Sequence, residues 1–235
     1  MGRAKQSTKR RSPGLTQLGI FAKYWQRGAV KTRLAATFGA DQAAEVYREF
    51  LTTEVERLAG LANRQVLAVS PASTVSAFRE VFPDGWQIEP QCEGDLGARM
   101  EHYFSSALAA DADRVVLLGS DSPSVPVAYV EQAFASLESN DAVLGPTADG
   151  GYYLIGIRGR VPPIFTGVAW STSQVWEQTV TRLQAANLTF AELPDWYDVD
   201  DAADLQRLRH DLVQQGADDA HLQALSARLV TILGE

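Results

Sequence analysis

Three short segments of the chain combine aspartates with glycine, serine, proline or further aspartates. Asp121 lies in the sequence Gly-Ser-Asp-Ser-Pro, and Asp149 is followed by two glycines. Asp198 and Asp200 lie in the acidic sequence Tyr-Asp-Val-Asp-Asp. Such groups are typical ligands of Mg²⁺ or Mn²⁺, which prefer oxygen donors and usually retain waters and substrate phosphates. The pattern favours Asp121 with Asp198 and Asp200 as metal ligands. The alternative is that these acids form turns or cap helices.

Positive charge is concentrated in one predicted loop, which contains Lys23, Lys31 and Arg33. Gly28 permits a positive φ or a close backbone approach to a ligand, and Thr32 can cap a helix or bind a phosphate oxygen. Arg33 can make a bidentate contact with an anion, which lysine cannot. The loop has neither the Walker A spacing nor that of a dinucleotide-binding glycine motif. It is interpreted as a phosphate-binding loop, with a solvated basic loop as the alternative.

The sequence Glu-Gly-Asp-Leu-Gly-Ala-Arg-Met at residues 93–100 precedes and begins a predicted helix. Asp95 can act as the helix N-cap or contact the base or sugar of a nucleotide, and the sequence leaves both possibilities open. Arg99 lies in the first helical turn, where the helix dipole favours acids. A cation in this position favours a role in ligand binding.

Residues 165–172 combine aromatic and hydroxyl side chains. Trp170 can provide a stacking platform in the wall of an acceptor site, and packing in the core explains it equally well. Ser171 or Thr172 is expected to begin the next helix. Cys92 and the three histidines have no spacing that supports a catalytic triad, so nucleophilic catalysis is not expected.

Short apolar runs alternate along the chain with stretches of helical spacing. This alternation predicts a three-layer α/β/α fold with a mainly parallel, doubly wound sheet. Ligands of such sheets bind beyond the carboxyl ends of the strands, where both the basic loop and Asp121 are expected to lie. The predicted strands are 15–22, 64–70, 86–90, 114–118, 142–145, 152–157 and 188–193, and the predicted helices are 41–61, 71–81, 95–110, 127–137, 173–186, 202–215 and 220–233.

With 235 residues, 46% of them hydrophobic, the chain can form one domain over residues 14–235. Residues 1–13 contain five cations and no acid, and are interpreted as a disordered basic arm. Since the formal net charge is −8, nucleic acid is not expected as a partner. The sequence has neither a convincing signal peptide nor a membrane-spanning run, and its single cysteine excludes an internal disulfide. These features predict a cytoplasmic protein with no membrane partner.

In their order along the chain, these segments resemble a bacterial family of nucleotide-diphospho-sugar transferases with a GT-A-like fold. The family is often described as arsenosugar-biosynthesis-type glycosyltransferases, and its relatives include phospholactate guanylyltransferases and molybdenum-cofactor nucleotidyltransferases. The chain differs from it at Trp25 and Arg27, where prolines are usual, and at Asp201-Ala202, where Thr-Pro is usual. The resemblance rests on residues 21–23, 28, 30–34, 94–100, 119–123, 145–146, 149–152, 170–172, 198–200 and 204–205.

The resemblance implies a metal-dependent glycosyltransferase that uses a nucleotide sugar, Mg²⁺ or Mn²⁺, and a small-molecule acceptor. The diphosphate is expected to lie across the basic loop, with the metal between it and Asp121. Asp149 is expected to orient or deprotonate the acceptor hydroxyl. The acceptor wall is assigned to Tyr152, Trp170 and Ser171. The alternatives are a nucleotidyltransferase, which uses a nucleoside triphosphate and releases pyrophosphate, and a nucleotide-binding protein without catalytic activity.

Overall fold

The computed structural model describes residues 14–82, 85–215 and 218–234. The predicted basic arm, residues 1–13, lies outside the described residues. The strands are β1 Leu15–Lys23, β2 Arg64–Ser70, β3 Gln87–Pro90, β4 Ala112–Leu118, β5 Ala142–Pro146, β6 Tyr152–Arg158 and β7 Phe190–Glu192. The helices are α1 Thr32–Phe38, α2 Ala40–Arg57, α3 Val75–Val81, α4 Leu96–Ala109, α5 Val127–Ser136, α6 Val175–Ala185, α7 Ala202–Gln215 and α8 Ala220–Leu233, with a 3-10 turn at Ala72–Thr74.

The strands form one seven-stranded sheet in the order β3-β2-β1-β4-β6-β5-β7. β1 is parallel to both of its neighbours, β2 and β4. β6 runs antiparallel to β4 and β5, so the prediction of a mainly parallel sheet is confirmed with one reversed strand. The chain proceeds from β1 to β2 and β3 on one side and then continues at β4 on the other. This change of direction places a topological switch point between the carboxyl ends of β1 and β4.

Alternate residues of the central strands face different helical layers. Val116 and Leu118 of β4 belong to the core cluster that also contains residues of α2, α3 and α5. Val115 and Leu117 belong to the cluster that contains residues of α4 and α6. Because successive strand residues point to opposite faces, a strand covered on both faces is apolar at consecutive positions, as β4 is over residues 115–118. The predicted three-layer α/β/α fold is confirmed.

A third apolar cluster joins the last two helices to α1 and α2. Phe50 of α2 packs in this cluster with Leu205 of α7 and Leu225 of α8, and all three are buried. The helices at 202–215 and 220–233 are therefore part of the packed structure. In the described part of the chain, no helix has the length and apolar character needed to cross a membrane.

The structure corrects the predicted elements between β1 and β2. A short helix, α1, precedes α2, and Gly39 separates the two with a φ of 92°. The longer helix ends at Arg57, four residues before the predicted boundary at 61. The seven residues of α1 bury only Leu34, so the segment has no helical apolar stripe by which to recognise it.

Candidate active site

A cleft of about 570 Å³ opens at the carboxyl ends of β1 and β4. Its size is that of a typical small-ligand site. It brings together ten of the residues predicted for the site from the sequence. These are Lys23, Lys31, Thr32, Arg33, Arg99, Asp121, Tyr152, Ser171, Asp198 and Asp200.

Lys31 connects the basic loop to the acids of the cleft. It is the N-cap of α1, with left-handed backbone angles of φ 45° and ψ 47°. Its side chain is only 3% exposed, and its ammonium group contacts Asp121 and lies 3.2 Å from Asp200 Oδ1. Burial alone would lower the pKa of Lys31, but its attraction to and hydrogen bonds with Asp121 and Asp200 outweigh that effect and raise the pKa. The amine is therefore a fixed positive charge.

The other cations of the loop remain accessible. Lys23 is exposed at the end of β1, and the Arg33 side chain is 75% exposed, with its guanidinium 3.8 Å from Asp200. Thr32 is the first residue of α1, and the cap position belongs to Lys31. Of the two roles that the sequence allowed for Thr32, the helix cap is therefore excluded, and phosphate binding stays a prediction. Gly28 lies outside the cleft lining and has a φ of 74°, the kind of conformation that glycine was predicted to permit.

Asp121, Asp198 and Asp200, here called the carboxylate cluster, come from two chain segments that are tied together. The amide of Val199 donates to the carbonyl of Asp121 at 2.8 Å. The hydroxyl of Ser122 donates to Asp198 Oδ1 at 2.7 Å. Burial raises the pKa of Asp198 to about 6 despite the Ser122 hydrogen bond, and repulsion from Asp121 adds to the increase.

Helix capping is performed by other acids of the same segment. Asp201 Oδ1 accepts from the amides of Ala203 and Asp204, which lie in the first turn of α7. Asp204 Oδ2 accepts in turn from the amides of Asp200 and Asp201. Since Asp201 and Asp204 perform the capping that the sequence also allowed for Asp198 and Asp200, these two acids can serve the cleft.

The donor chemistry of the carboxylate cluster suits Mg²⁺ or Mn²⁺, because both prefer carboxylate oxygens. Within the residues that the structure describes, no group of three or more His, Cys, Asp or Glu side chains is arranged closely enough to hold a metal ion. The cation that contacts Asp121 and Asp200 is instead the ammonium of Lys31. The residue types of the carboxylate cluster fit a divalent metal. For such a metal to bind, the Lys31 ammonium must leave Asp121 and Asp200.

Three other predicted residues lie outside the cleft lining. Asp95 is the N-cap of α4 and accepts from the amide of Ala98 at 2.8 Å. Asp149 Oδ1 accepts from the Thr147 hydroxyl and from the Gly151 amide, which closes a turn before β6. Trp170 is partly buried and packs against the core cluster of α4 and α6. The assignments of Asp149 and Trp170 to the acceptor remain predictions.

Sequence reasoning missed two polar residues on α2. Tyr47 lines the cleft, and its hydroxyl lies 2.7 Å from that of Ser120, the residue before Asp121. Glu54 is 1% exposed, and its Oε1 accepts from the amide of Ser122, the residue after Asp121. The available signal was an acid within the apolar stripe of the helix, where charged side chains are rare.

Comparisons with known proteins agree with this fold. Residues 54–172 match the family described as an uncharacterised protein conserved in bacteria, DUF2064. No curated protein matches the sequence. A solved structure from Desulfovibrio desulfuricans G20, provisionally described as a nucleotide-diphospho-sugar transferase, is 34% identical with a TM-score of 0.86. The match covers 93% of this chain and 96% of that chain.

More distant solved structures share the architecture. A cytidylyltransferase from Leptospira borgpetersenii is 14% identical with a TM-score of 0.56, over 94% of this chain and 97% of that chain. A CMP:2-keto-3-deoxy-manno-octonic acid synthetase complexed with CTP is 14% identical with a TM-score of 0.50, over 86% and 99%. At this identity, the two likenesses show the fold alone.

Proposed function

This chain belongs to the DUF2064 family of bacterial proteins, and we propose that it is a metal-dependent transferase whose donor is a nucleotide-activated sugar. One observation carries the proposal. Lysine and arginine from the loop after β1 meet aspartates from two other loops in one cleft, at the switch point of the sheet. A diphosphate requires cations, and a divalent metal requires carboxylates, so the two sets of side chains suit one ligand.

In this proposal, the basic loop binds the donor diphosphate. Arg33 and Lys23 are exposed at the cleft and can approach the phosphate oxygens without leaving buried partners. Lys31 starts from its contacts with Asp121 and Asp200. As the bond between sugar and phosphate breaks, negative charge increases on the leaving diphosphate, and cations held in place stabilise that charge.

Asp121, Asp198 and Asp200 would hold the metal. A divalent ion bound there would act as a Lewis acid on the leaving diphosphate. Two hydrogen bonds hold the loop after β4 against the segment before α7: the Val199 amide donates to the Asp121 carbonyl, and the Ser122 hydroxyl donates to the Asp198 carboxylate. Arg99, in the first turn of α4, lines the same cleft and is proposed to contact the nucleotide.

The sugar donor follows from the resemblance to arsenosugar-biosynthesis-type glycosyltransferases and from the description of the Desulfovibrio protein. A second function, nucleotidyl transfer, is favoured by the cations of the loop, which suit a triphosphate equally well. The Leptospira cytidylyltransferase and the synthetase that binds CTP share this fold. In that reaction the same groups would stabilise attack on the α-phosphate, with pyrophosphate as the leaving group.

A thermal-shift panel of nucleotide sugars and nucleoside triphosphates, each with and without Mn²⁺, tests the proposal. A ligand at a hundredfold excess over its Kd stabilises the native state by about 2.7 kcal/mol. A Mn²⁺-dependent shift with a nucleotide sugar supports glycosyl transfer. A shift with a triphosphate alone, followed by release of pyrophosphate on turnover, supports nucleotidyl transfer. Binding without turnover supports a non-catalytic protein. If none of these ligands raises the melting temperature, the proposed phosphate site is wrong.

A further inference from the structure

We propose that α2 is the positioning element of the candidate active site, and that Tyr47 and Glu54 hold the residues on either side of Asp121. This inference rests on the proposed function for its kinetic consequence, although the contacts themselves can be tested without any substrate. Tyr47 and Glu54 are two helical turns apart and therefore lie on the same face of α2.

The two residues contact the flanks of Asp121 separately. The hydroxyl of Tyr47 is 2.7 Å from that of Ser120 and also accepts from the amide of Lys23, at the end of β1. Glu54 Oε1 accepts from the amide of Ser122 at 3.1 Å. α2 thus links the end of β1 to the loop after β4, with one contact immediately before Asp121 and one immediately after it.

The polar contacts of α2 continue along the same loop. Arg57, one turn beyond Glu54, donates to the carbonyls of Pro123 and Val125 at 2.9 Å each. Its side chain is 5% exposed and also pairs with Asp219. Three side chains of one helix therefore hold the segment from Ser120 to Val125, and this segment contains the acid that contacts Lys31.

Burial of the Glu54 side chain costs desolvation free energy. Glu54 is 1% exposed, and its Oε2 has no hydrogen-bond partner among the described residues. Burial, with repulsion from Asp121, raises the pKa of Glu54 well above its ordinary value. An apolar side chain would avoid the desolvation cost. What an apolar side chain cannot supply is an acceptor for the Ser122 amide.

The hold on Ser122 also reaches the second acid of the cluster, because the Ser122 hydroxyl donates to Asp198. A displacement of Ser122 would move Asp121 and change the hydrogen bond to Asp198 together. Misplacement of a reacting group by about 1 Å can reduce a catalytic rate by about a hundredfold. Glu54 and Tyr47 are thus positioning residues that act through Ser122 and Ser120.

The Lys31 side chain provides a direct readout, because the sequence contains only four lysines. The experiment records the ¹³Cε resonances of lysine-labelled protein, with the Lys31 signal assigned by its loss in Lys31→Met. Glu54→Met and Tyr47→Phe are expected to shift this signal, since both loosen Asp121. Glu54→Gln retains an acceptor oxygen and is expected to leave the signal near its original position.

Tyr103→Phe is the matched control, since Tyr103 is also buried and its hydroxyl accepts from Gln17 on the α4 side of the sheet. It should leave the Lys31 signal unchanged. If Glu54→Met does not fold, Tyr47→Phe provides the same test. An unchanged Lys31 signal in folded Glu54→Met or Tyr47→Phe, or an equal shift in Tyr103→Phe, would overturn the positioning role.

Kinetics then separate positioning from the proposed reaction. With a donor identified by thermal shift, Glu54→Met is expected to lower kcat about 10- to 100-fold, with the donor KM within about threefold and recovery in Glu54→Gln. A raised KM with unchanged kcat would contradict the role. A shifted Lys31 signal in protein that turns over no nucleotide sugar or triphosphate supports the positioning contacts and refutes the proposed function alone.

Discussion

The ammonium of Lys31 lies against the carboxylate of Asp121, with the lysine side chain 3% exposed and the aspartate side chain 43% exposed. The two residues follow neighbouring parallel strands, β1 and β4, and approach each other at the carboxyl edge of the sheet. A cation of the phosphate loop is thereby already paired with the acids proposed to hold a metal. Both proposed ligands must compete with this ion pair.

Replacing Lys31 with methionine should therefore have opposite effects on the two ligands. Nucleotide binding should weaken about 10- to 100-fold, because a hydrogen bond to a charged group contributes about 1.5–3 kcal/mol. Mn²⁺ binding without nucleotide should strengthen, since the competing ammonium is gone. Titration calorimetry measures both. Lys23→Met is the control for the Mn²⁺ result, because it removes a cation of the same loop that lies outside the carboxylate cluster. An effect confined to the acceptor KM would contradict the phosphate role.

Replacing Asp121 with asparagine should abolish metal-dependent activity while leaving the fold intact. Loss of one group that stabilises developing charge typically costs about a hundredfold or more in kcat. The unfolding free energy should change by about 1 kcal/mol, because the carboxylate is partly exposed and Lys31 retains Asp200. Activity and chemical denaturation are measured in parallel. Asp113→Asn, near the opposite end of β4, is the control, and unchanged activity in Asp121→Asn would rule out its metal role.

The sequence predicts the central strands well because they are buried on both faces. β4 is apolar at consecutive positions, and β1 ends at the basic loop, so the edge on which Lys31 and Asp121 lie could be inferred. The reversal of β6 could not, since a local apolar pattern carries no information on strand direction. The short helix α1 was equally hidden, because only Leu34 is buried in it.

The pairing inside the cleft depends on details that spacing does not encode. The left-handed backbone of Lys31 is uncommon for a residue other than glycine, and the ammonium lies among acids from two distant loops. Glu54 and Tyr47 belong to a helix whose apolar spacing indicates packing, and the acid within that stripe does not reveal which group it contacts. Their partners, Ser120 and Ser122, lie in the loop after β4, more than sixty residues away along the chain.

Gly97 should be intolerant of alanine even though it lies in a helix. A Cβ there would be 2.5 Å from the carbonyl oxygen of Phe165 and 2.6 Å from the indole nitrogen of Trp170. Overpacking of this kind costs about 1–3 kcal/mol, which exceeds the gain of about 1 kcal/mol in helix propensity. Gly97→Ala should therefore lower Tm, at about 2–4 °C per kcal/mol. The exposed Ala98→Gly measures propensity alone, and a higher Tm for Gly97→Ala would contradict the packing.

Metal binding should depend on pH through Asp198. Burial raises the pKa of Asp198 to about 6, so the metal-free protein carries a proton there at pH 5 and an ionised carboxylate at pH 7. Metal ligation requires the ionised form, and each Mn²⁺ bound below pH 6 must displace this proton. Mn²⁺ affinity should thus increase by up to about tenfold per pH unit below 6 and level off above it.

The unfolding free energy of the metal-free protein should depend on pH in the opposite direction to the Mn²⁺ affinity. Between about pH 4 and 6 the folded protein holds the Asp198 proton that the unfolded chain, with its ordinary pKa, has already released. The resulting stabilisation of the metal-free protein is lost as the pH rises through 6. Asp198→Asn cannot titrate and should flatten both profiles, which calorimetry with Mn²⁺ and denaturation without metal would record. An equally steep Mn²⁺ profile in this variant would assign the titration to another group.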